Sequence, residues 1–348
     1  MFRLPYLIVA ITAAFAVSVF TQATNTLDIY FVDTEGGQAT LLVPAGGESL
    51  LIDAGYAGFD TNNPEQEAGR DAERIAAVAE IAGLSRIDVF VPSHFHGDHV
   101  GGIENLAALI PIGTFVDDGP SVQNVEPLRQ VVGQYSEIYE AEFTKGQHLV
   151  VEAGDAIAVE GLSVSVVASN GRPVARAGQP NPHCEGLTQR RDGNPENAES
   201  MGVLVQFGSF RYLNVGDMPY NQELDLLCPD NKVGQIDVYQ AGHGGERSSA
   251  VAAMAPRIAV GPNGARKGAG PDAVNAYGAL PGFEDFWLMH LNVPGGPAGN
   301  PPAEFIANLT EHENGEQPHY LKLSAREDGS FEMFNPRTNS TTQYAARD

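Results

Sequence analysis

One segment, "IDVFVPSHFHGDHVGG" (87–102), constrains the fold most strongly. It begins as an apolar, β-branched run, which predicts a buried strand. Three histidines and an aspartate follow within six positions. Residues two apart in an extended segment point the same way, so His94 and His96 can present their imidazoles to one metal ion. Gly97 permits a tight turn. Asp98 and His99 can then face a second metal position, so the pattern predicts two adjacent metal sites where the strand ends.

The segments around this motif predict alternating sheet and helix. The runs "LDIYFV", "ATLLV" and "SLLIDAG" are rich in β-formers and are separated by glycine pairs, which predicts an antiparallel meander. A helix is predicted over 71–83 from its acidic start, helical apolar spacing and glycine stop. Further helices are predicted just after His99, through "IENLAAL", and over 125–139. Additional strands are predicted at "HLVVEA", "LSVSVVAS", "VLVQFG", "RYLNVG" and "DVYQAG".

The second half of the chain adds a long loop and a hairpin. Residues 170–199 are rich in Gly, Pro, Asn, Arg and Glu without an apolar period, which indicates a surface loop. Near the end, "HYLKLSAREDGSFEMFN" predicts a hairpin that turns at Asp328-Gly329. Sheet and helix alternate on both sides of the loop, so we predict one α/β sandwich and no internal repeat.

The acidic composition argues against nucleic-acid binding. There are 44 acidic and 20 basic residues, for a formal net charge of −24. Such a chain repels phosphate backbones and anionic lipid head groups. A small-molecule substrate is therefore the expected partner.

The amino-terminal segment predicts export. Arg3 precedes an apolar run over 6–20, and Thr21-Gln22-Ala23 resembles a cleavage site, so residues 1–23 are predicted to be a signal peptide and 24–348 the mature domain. An uncleaved anchor is the alternative, although the run is shorter than the roughly 20 residues of a spanning helix. We expect a periplasmic or secreted protein without stable membrane insertion after cleavage. In such a compartment Cys184 and Cys228, the only cysteines, are candidates for one disulfide.

The motif His-x-His-x-Asp-His after an apolar strand resembles the signature of the metallo-β-lactamase fold hydrolases. That resemblance implies an αββα sandwich in which an aspartate turn precedes the motif, as Asp53 does in "LLIDAG". A later strand ends in Gly-Asp, as in "YLNVGD", and another ends in a histidine, as in "DVYQAGHGG". The segments "GGQATLLV", "NAESMGVLVQFG", "NVGD" and "GHGG" most resemble the metallo-hydrolase domain of DNA-uptake competence proteins and its free-standing secreted relatives.

The resemblance implies a ligand set. His94 and His96 would bind the first metal, Asp98 and His99 the second, Asp217 would bridge the two, and His243 would complete the second site. Imidazole and carboxylate ligands suit two zinc ions, and manganese or iron fits the same donors. A hydroxide between the metals would be the nucleophile, with Asp98 as the catalytic residue that orients it.

One position departs from the family pattern. Many members supply a third histidine to the first metal shortly before the Gly-Asp strand, where this chain has Glu196 and Asn197. Competence-type relatives also tend to have asparagine and serine there, as Asn197 and Ser200. His183 lies farther upstream and is either an alternative ligand or an exposed loop residue. The first metal site is therefore expected to be weaker or more open than usual.

Substrate binding is predicted on the loop "GPNGARKGAGP" (261–271). Asn263, Arg266 and Lys267 would line the site, and the basic pair is either an anion clamp or two solvated charges. His290 ends an apolar strand and is either a proton donor or a core histidine.

These features predict a dinuclear metal hydrolase that acts on a phosphoester or phosphodiester. A lactonase or β-lactamase-type hydrolase with the same site is the main alternative. An iron-dependent oxidoreductase and a non-catalytic metal-binding protein are further alternatives, and metal analysis would separate them.

Overall fold

The computed structural model describes residues 25–58, 67–122, 134–191, 193–240, 242, 249–311 and 317–347. Within these ranges, strands β1 to β20 are Thr26–Val32, Thr40–Pro44, Leu50–Ile52, Ile87–Val91, Ile112–Asp117, Gln147–Val150, Ala156–Ile157, Ser163–Ser169, Arg172–Pro173, Gln179–Pro180, Gly202–Phe207, Phe210–Asn214, Asp230–Asn231, Val238–Gln240, Ile258–Gly261, Asp285–His290, Ile306–Asn308, Tyr320–Arg326, Phe331–Asn335 and Ser340–Tyr344.

Helices α1 to α6 are Arg70–Ile81, Ile103–Leu109, Gln134–Phe143, Pro195–Ala198, Tyr220–Leu227 and Pro271–Gly278. Short 3₁₀ turns cover Pro182–Cys184, Ser249–Met254, Pro297–Gly299 and Ala303–Phe305. None of the helices in the described ranges is long and apolar enough to span a bilayer.

Most strands form two sheets. The first has the order β20-β19-β18-β1-β2-β3-β4-β5-β6, and the second has β17-β16-β15-β14-β12-β11-β8-β7 with β9 beside β8. The meander β1-β2-β3 is antiparallel, as predicted, and β3 to β6 are parallel. In the second sheet β12, β14, β15, β16 and β17 are parallel neighbours. Parallel neighbours end at one edge, which brings several loops together there.

Because side chains alternate between the two faces of each strand, the buried apolar residues form three clusters. In β1, Leu27, Ile29 and Phe31 face the second sheet, whereas Tyr30 and Val32 face the helices α1, α2 and α3. The second sheet alternates in the same way, with one face toward the first sheet and the other toward α5 and α6. The two sheets therefore pack face to face with helices on their outer faces, and the αββα architecture predicted from the sequence is confirmed.

The predicted first helix and the predicted hairpin agree with the structure, whereas the surface loop predicted over 170–199 contains the short elements β9, β10, a 3₁₀ turn and α4. The helix predicted over 71–83 is α1, which buries Ala72, Ile75 and Val78 and is followed by Gly83 at φ 77°. The predicted hairpin is β18 and β19, with Gly329 in the turn at φ 89°. The helix predicted over 125–139 begins at Gln134 among the described residues, because 123–133 lie outside them. The predicted leader, residues 1–23, also lies outside them.

Cys184 and Cys228 form a disulfide across 44 positions, which confirms the predicted pairing. Cys184 belongs to the 3₁₀ turn in the long loop, and Cys228 directly follows α5. The bond therefore fastens the irregular segment to the helical layer over the second sheet.

We expect the free energy of unfolding of the double variant Cys184→Ser/Cys228→Ser to be roughly 2 to 4 kcal/mol lower than that of the wild type. The reason is that the disulfide restricts a long loop in the unfolded chain. Urea unfolding of both proteins under non-reducing conditions measures the difference. Equal stability, or two free thiols in denatured wild-type protein, would contradict the role of the disulfide.

Candidate metal centre

His94 and His96 point toward each other directly after β4. His94 Nε2 lies 2.8 Å from His96 Nδ1. Ser93 Oγ lies 3.1 Å from the other ring nitrogen of His94, and the side-chain amide of Asn194 lies 3.2 Å from His96 Nε2. In each of the two imidazoles, one ring nitrogen therefore lies near a serine or asparagine side chain and the other lies near the partner histidine. Two converging ring nitrogens fit a shared metal ion, as their spacing in the sequence predicts.

His99 faces two carboxylates and is held by a third. Its Nε2 lies 3.6 Å from Asp98 Oδ2 and 3.5 Å from Asp217 Oδ1, while its Nδ1 lies 2.8 Å from Asp53 Oδ2. A carboxylate behind a histidine fixes the ring so that the far nitrogen can bind metal. Ligand atoms of His94, His99 and Asp217 all lie within 4.8 Å of one another. The two predicted groups of ligands therefore adjoin, and their donors fit divalent metal.

The buried side chain of Asp53 contacts both ends of the metal-binding motif. It is fully buried, with φ 63°, in the turn after β3. Its carboxylate accepts hydrogen bonds from Ser93 N at 2.6 Å, Ser93 Oγ at 2.9 Å and Gln38 Nε2 at 2.8 Å, besides its contact with His99. Burial raises the pKa of Asp53, and His99 and Ser93 oppose that rise. One carboxylate thus fixes both the start of the motif and its last histidine.

The histidines differ in their electrostatic surroundings. Burial lowers the pKa of His94 well below its usual range, helped by His99 and His96, and burial also lowers the pKa of His96. Neutral imidazole is the form that binds metal. Burial by itself would lower the pKa of His99, but Asp217, Asp53 and Asp98 raise it well above its usual range. Three carboxylates thus favour positive charge at the second position, where a cation would be stabilised.

The Gly-Asp turn after β12 brings Asp217 to the motif. Gly216 has φ 53°, and a side chain there would lie 2.6 Å from the Ser93 side chain. Its N–H donates to Asn214 Oδ1 at 2.8 Å, and Asn214 Oδ1 also accepts from Gln38 at 3.1 Å. Only glycine suits this backbone conformation and this close approach, so the turn can lie directly against the metal motif.

Glu196 supports the motif rather than replacing the third histidine. It is buried, with Oε1 accepting from Phe95 N at 2.8 Å and Oε2 from Ser121 Oγ at 2.7 Å. Asn197 and Ser200 are also buried, and within the described ranges Asn197 Oδ1 and Ser200 Oγ have no hydrogen-bond partner. This position therefore supplies neutral oxygen atoms and a carboxylate that binds the backbone of Phe95.

The remaining histidines take separate places. His183 lies on a different, apolar pocket with Val251, Tyr277 and Leu280. His290 is fully buried, and its ligand atom lies within 4.8 Å of those of Asp33 and Glu35. The predicted ligand His243 lies outside the described residues.

The group around His290 is already balanced by cations. Glu35 pairs with Arg70 at 3.0 Å and with Arg74 at 3.2 Å. Asp33 accepts from Asn308 Nδ2 at 3.0 Å. Two buried guanidinium groups beside these carboxylates disfavour a metal ion there, so His290 belongs to a structural cluster.

A cleft of about 110 Å³ opens beside the second group of ligands. Its lining consists of Gly36, Gly37, Gln38, Asp98, His99, Asp217, Pro262, Lys267 and Gly268. A Cβ atom at position 37 would lie 2.4 Å from the backbone oxygen of Asp98, so only glycine fits this part of the cleft lining.

Lys267 is the basic residue among the described residues that line this cleft. Its ammonium bonds Asp98 and donates to Tyr56 Oη at 2.9 Å. Burial by itself would lower the pKa of Lys267, but Asp98 and Tyr56 raise it above its usual value. Lys267 is therefore a cation.

The other two residues predicted to bind substrate do not line the cleft. Asn263 is buried and its side chain bonds the backbone of Gly264 and His290. Arg266 is exposed and bonds Glu311. Of the three predicted residues only Lys267 lies in the described lining of the cleft, whereas Asn263 stabilises the loop and Arg266 points toward Glu311.

Residues 32–166 match the model of the metallo-beta-lactamase superfamily. This segment of the chain is similar to metallo-beta-lactamase superfamily domains. Members of this superfamily are generally metal-dependent hydrolases, and the matched range contains Asp53 and all four residues of the His94–His99 ligand group. A comparison with curated proteins found no match.

Among solved structures, a proposed metal-dependent hydrolase from Parabacteroides distasonis ATCC 8503 is 14% identical, with 75% of this chain and 92% of that chain covered at a TM-score of 0.42. A Cronobacter sakazakii metallo-beta-lactamase with a HARLDQ motif is 16% identical, with 62% and 75% covered at 0.36. CmlA, a diiron beta-hydroxylase from Streptomyces venezuelae, is 14% identical, with 66% and 44% covered at 0.38. All three TM-scores are below 0.5.

Several residues of the centre were not predicted. Tyr56, Ser93 and Asn194 have side chains that contact the proposed ligands or Lys267, and the Gln38 side chain contacts Asp53. Ser93 could have been inferred, because it directly precedes the motif at the end of a strand. The other three lie on distant segments and carry no motif of their own.

We expect Asp53→Asn to weaken metal binding roughly 10- to 100-fold, because an amide holds His99 less firmly and no longer balances its charge. Competition with a chromophoric chelator measures the affinity. Asp237→Asn is the matched control, since Asp237 is also a buried aspartate that bonds a backbone N–H, that of Arg211 at 2.9 Å. Equal metal affinity in Asp53→Asn and the control would refute the supporting role of Asp53.

Proposed function

We propose that this protein is an exported, dinuclear metal hydrolase that cleaves phosphoesters, with phosphodiesters as the preferred class. The observation that carries the proposal is that two groups of metal-ligand candidates adjoin and that the second group lines a cleft together with Lys267. The first group is the paired nitrogens of His94 and His96, and the second is formed around His99.

Two divalent ions, with zinc the first choice, would be held by His94 and His96 on one side and by Asp98, His99 and Asp217 on the other. When bound, such ions supply Lewis acidity and a reactive solvent nucleophile at neutral pH. His243, by resemblance, would complete the second site. Asp98 has the further role of accepting a proton from the attacking water, because its carboxylate lies in the lining of the cleft.

Lys267 favours an anionic substrate. The carboxylates Asp98 and Asp217 line the same cleft, so a phosphodiester needs a nearby cation to offset their repulsion. An ammonium can bond a non-bridging phosphoryl oxygen, and Lys267 has the required position. A lactone or β-lactam carbonyl develops less charge and needs this cation less.

The proposed location follows from the amino-terminal segment and the disulfide. A basic residue, an apolar run and a small-residue step are the features of a secretory signal. Disulfides persist in oxidising compartments, and Cys184 and Cys228 are paired. Both observations support a periplasmic or secreted protein.

We expect close to two metal ions per chain after expression with added zinc, as measured by elemental analysis of purified protein.

Asp98→Asn should lose most turnover, because an amide neither accepts a proton nor neutralises a cation. Protein without metal would refute the dinuclear assignment, and wild-type turnover in Asp98→Asn would refute the role of Asp98. Iron as the only bound metal, with no hydrolysis, would favour the oxidoreductase alternative.

Bis-p-nitrophenyl phosphate should be hydrolysed, and Lys267→Ala should lower its kcat/KM roughly 10- to 100-fold because one charge-assisted hydrogen bond is lost. Activity toward a neutral lactone should fall much less. Lys322→Ala is the control, since Lys322 pairs with Asp28 at 2.7 Å, lies 5.5 Å from the Tyr30 ring and does not belong to the described lining of the cleft. Robust lactone or nitrocefin turnover without phosphodiesterase activity would overturn the substrate class and leave the metal assignment unaffected.

A further inference from the structure

Lys267 contacts a residue of the proposed second metal site as well as lining the cleft. Its ammonium bonds Asp98 Oδ2, donates to Tyr56 Oη at 2.9 Å, and lies 5.3 Å from the centre of the Tyr56 ring. About a third of the Lys267 side chain is exposed, whereas Asp98 is more buried. The lysine therefore reaches in from the mouth of the cleft to an inner carboxylate.

The contacted oxygen is the one that faces the other ligands. Asp98 Oδ2 lies 3.6 Å from His99 Nε2, and this same nitrogen lies 3.5 Å from Asp217 Oδ1. One oxygen of each carboxylate thus lies within 3.6 Å of His99 Nε2, and the proposed function assigns these three groups to the second metal. The ammonium and that metal would therefore act on a single carboxylate oxygen.

We propose that Lys267 competes with the second metal for Asp98 Oδ2, so that metal binding releases the ammonium to an anion in the cleft. This inference depends on the metal centre of the proposed function. A divalent ion on the carboxylate withdraws the negative charge that holds Lys267, and the two cations repel each other across a few ångströms. The lysine side chain is flexible enough to move, and Tyr56 remains as a partner that keeps it near the cleft.

Coupling between metal and substrate follows from this exchange. An anion that binds Lys267 removes it from Asp98 and thereby strengthens metal binding. By thermodynamic reciprocity, the metal strengthens anion binding by the same factor. Lys267 would thus favour the centre with both metal ions bound only when an anionic substrate is present. This makes Lys267 a specificity-determining residue as well as a contact for the anion.

The test is a zinc titration of the full mature protein against a chromophoric chelator. We expect Lys267→Met to bind the second zinc ion roughly 5- to 150-fold more tightly than the wild type, because no ammonium then competes for Asp98 Oδ2 and coupling between two binding groups is usually of this size. Lys322→Met is the matched control, because Lys322 has a similarly exposed side chain and the same kind of partners, Asp28 and Tyr30. Its zinc affinities should equal those of the wild type.

The second arm uses dimethyl phosphate as the anion. It should tighten the second zinc affinity of the wild type and of Lys322→Met, and should have much less effect on Lys267→Met. An anion that acted only by bridging the metals would tighten all three proteins equally, and that outcome would overturn the proposal.

Unchanged or weaker second-zinc binding in Lys267→Met would also overturn it, provided that far-UV circular dichroism and the thermal midpoint match the wild type. Lys267→Gln provides the same measurement if the methionine variant does not fold. Failure of the proposed function gives a different result, since wild-type protein would then bind fewer than two zinc ions before any comparison of variants.

Discussion

The site depends most on the buried carboxylate of Asp53. Its four contacts join the turn after β3, the strand end at Ser93, the ring of His99 and the side chain of Gln38. A buried charge is tolerated only when hydrogen bonds satisfy it, so each partner is constrained in turn. Ser93 then sets the orientation of His94, and Gln38 extends the network to Asn214 in the second sheet. The two sheets are thus joined by polar contacts at the edge where the proposed metal ligands meet.

A second set of contacts determines the mouth of the cleft. Asn263 bonds the backbone of His290, and Asn292 bonds the carbonyl of Gly268 at 2.9 Å. These asparagines fix the loop that carries Lys267, because they satisfy backbone groups that no strand pairs. The charged end of Lys267 is then shared by Asp98 and Tyr56. The proposed metal centre and the proposed anion contact therefore meet at one carboxylate, which is why their binding should be coupled.

The cation distribution separates structural from functional charges. Arg70 and Arg74 are buried and paired with Glu35, which explains how an acidic cluster near His290 is stabilised without metal. Lys267 is the lysine in the described lining of the cleft, which also contains His99. In a chain with a formal charge of −24, this placement of a lysine beside two carboxylates is the feature that most favours an anionic substrate.

The sequence by itself determined the α/β sandwich and the local grouping of the proposed ligands. Runs of β-formers separated by glycine pairs predicted β1 to β3, and helical spacing predicted α1. The spacing of His94, His96, Asp98 and His99 indicated which side chains can converge, because these are local consequences of backbone geometry. Contacts between distant segments were decided only by the tertiary structure. Glu196 on the Phe95 backbone, Tyr56 on Lys267, and the burial of Asn263 away from the cleft depend on how loops from two sheets pack. No local pattern encodes such packing, because the same polar residue serves equally well as a ligand, a support or a solvated side chain until its neighbours are in place.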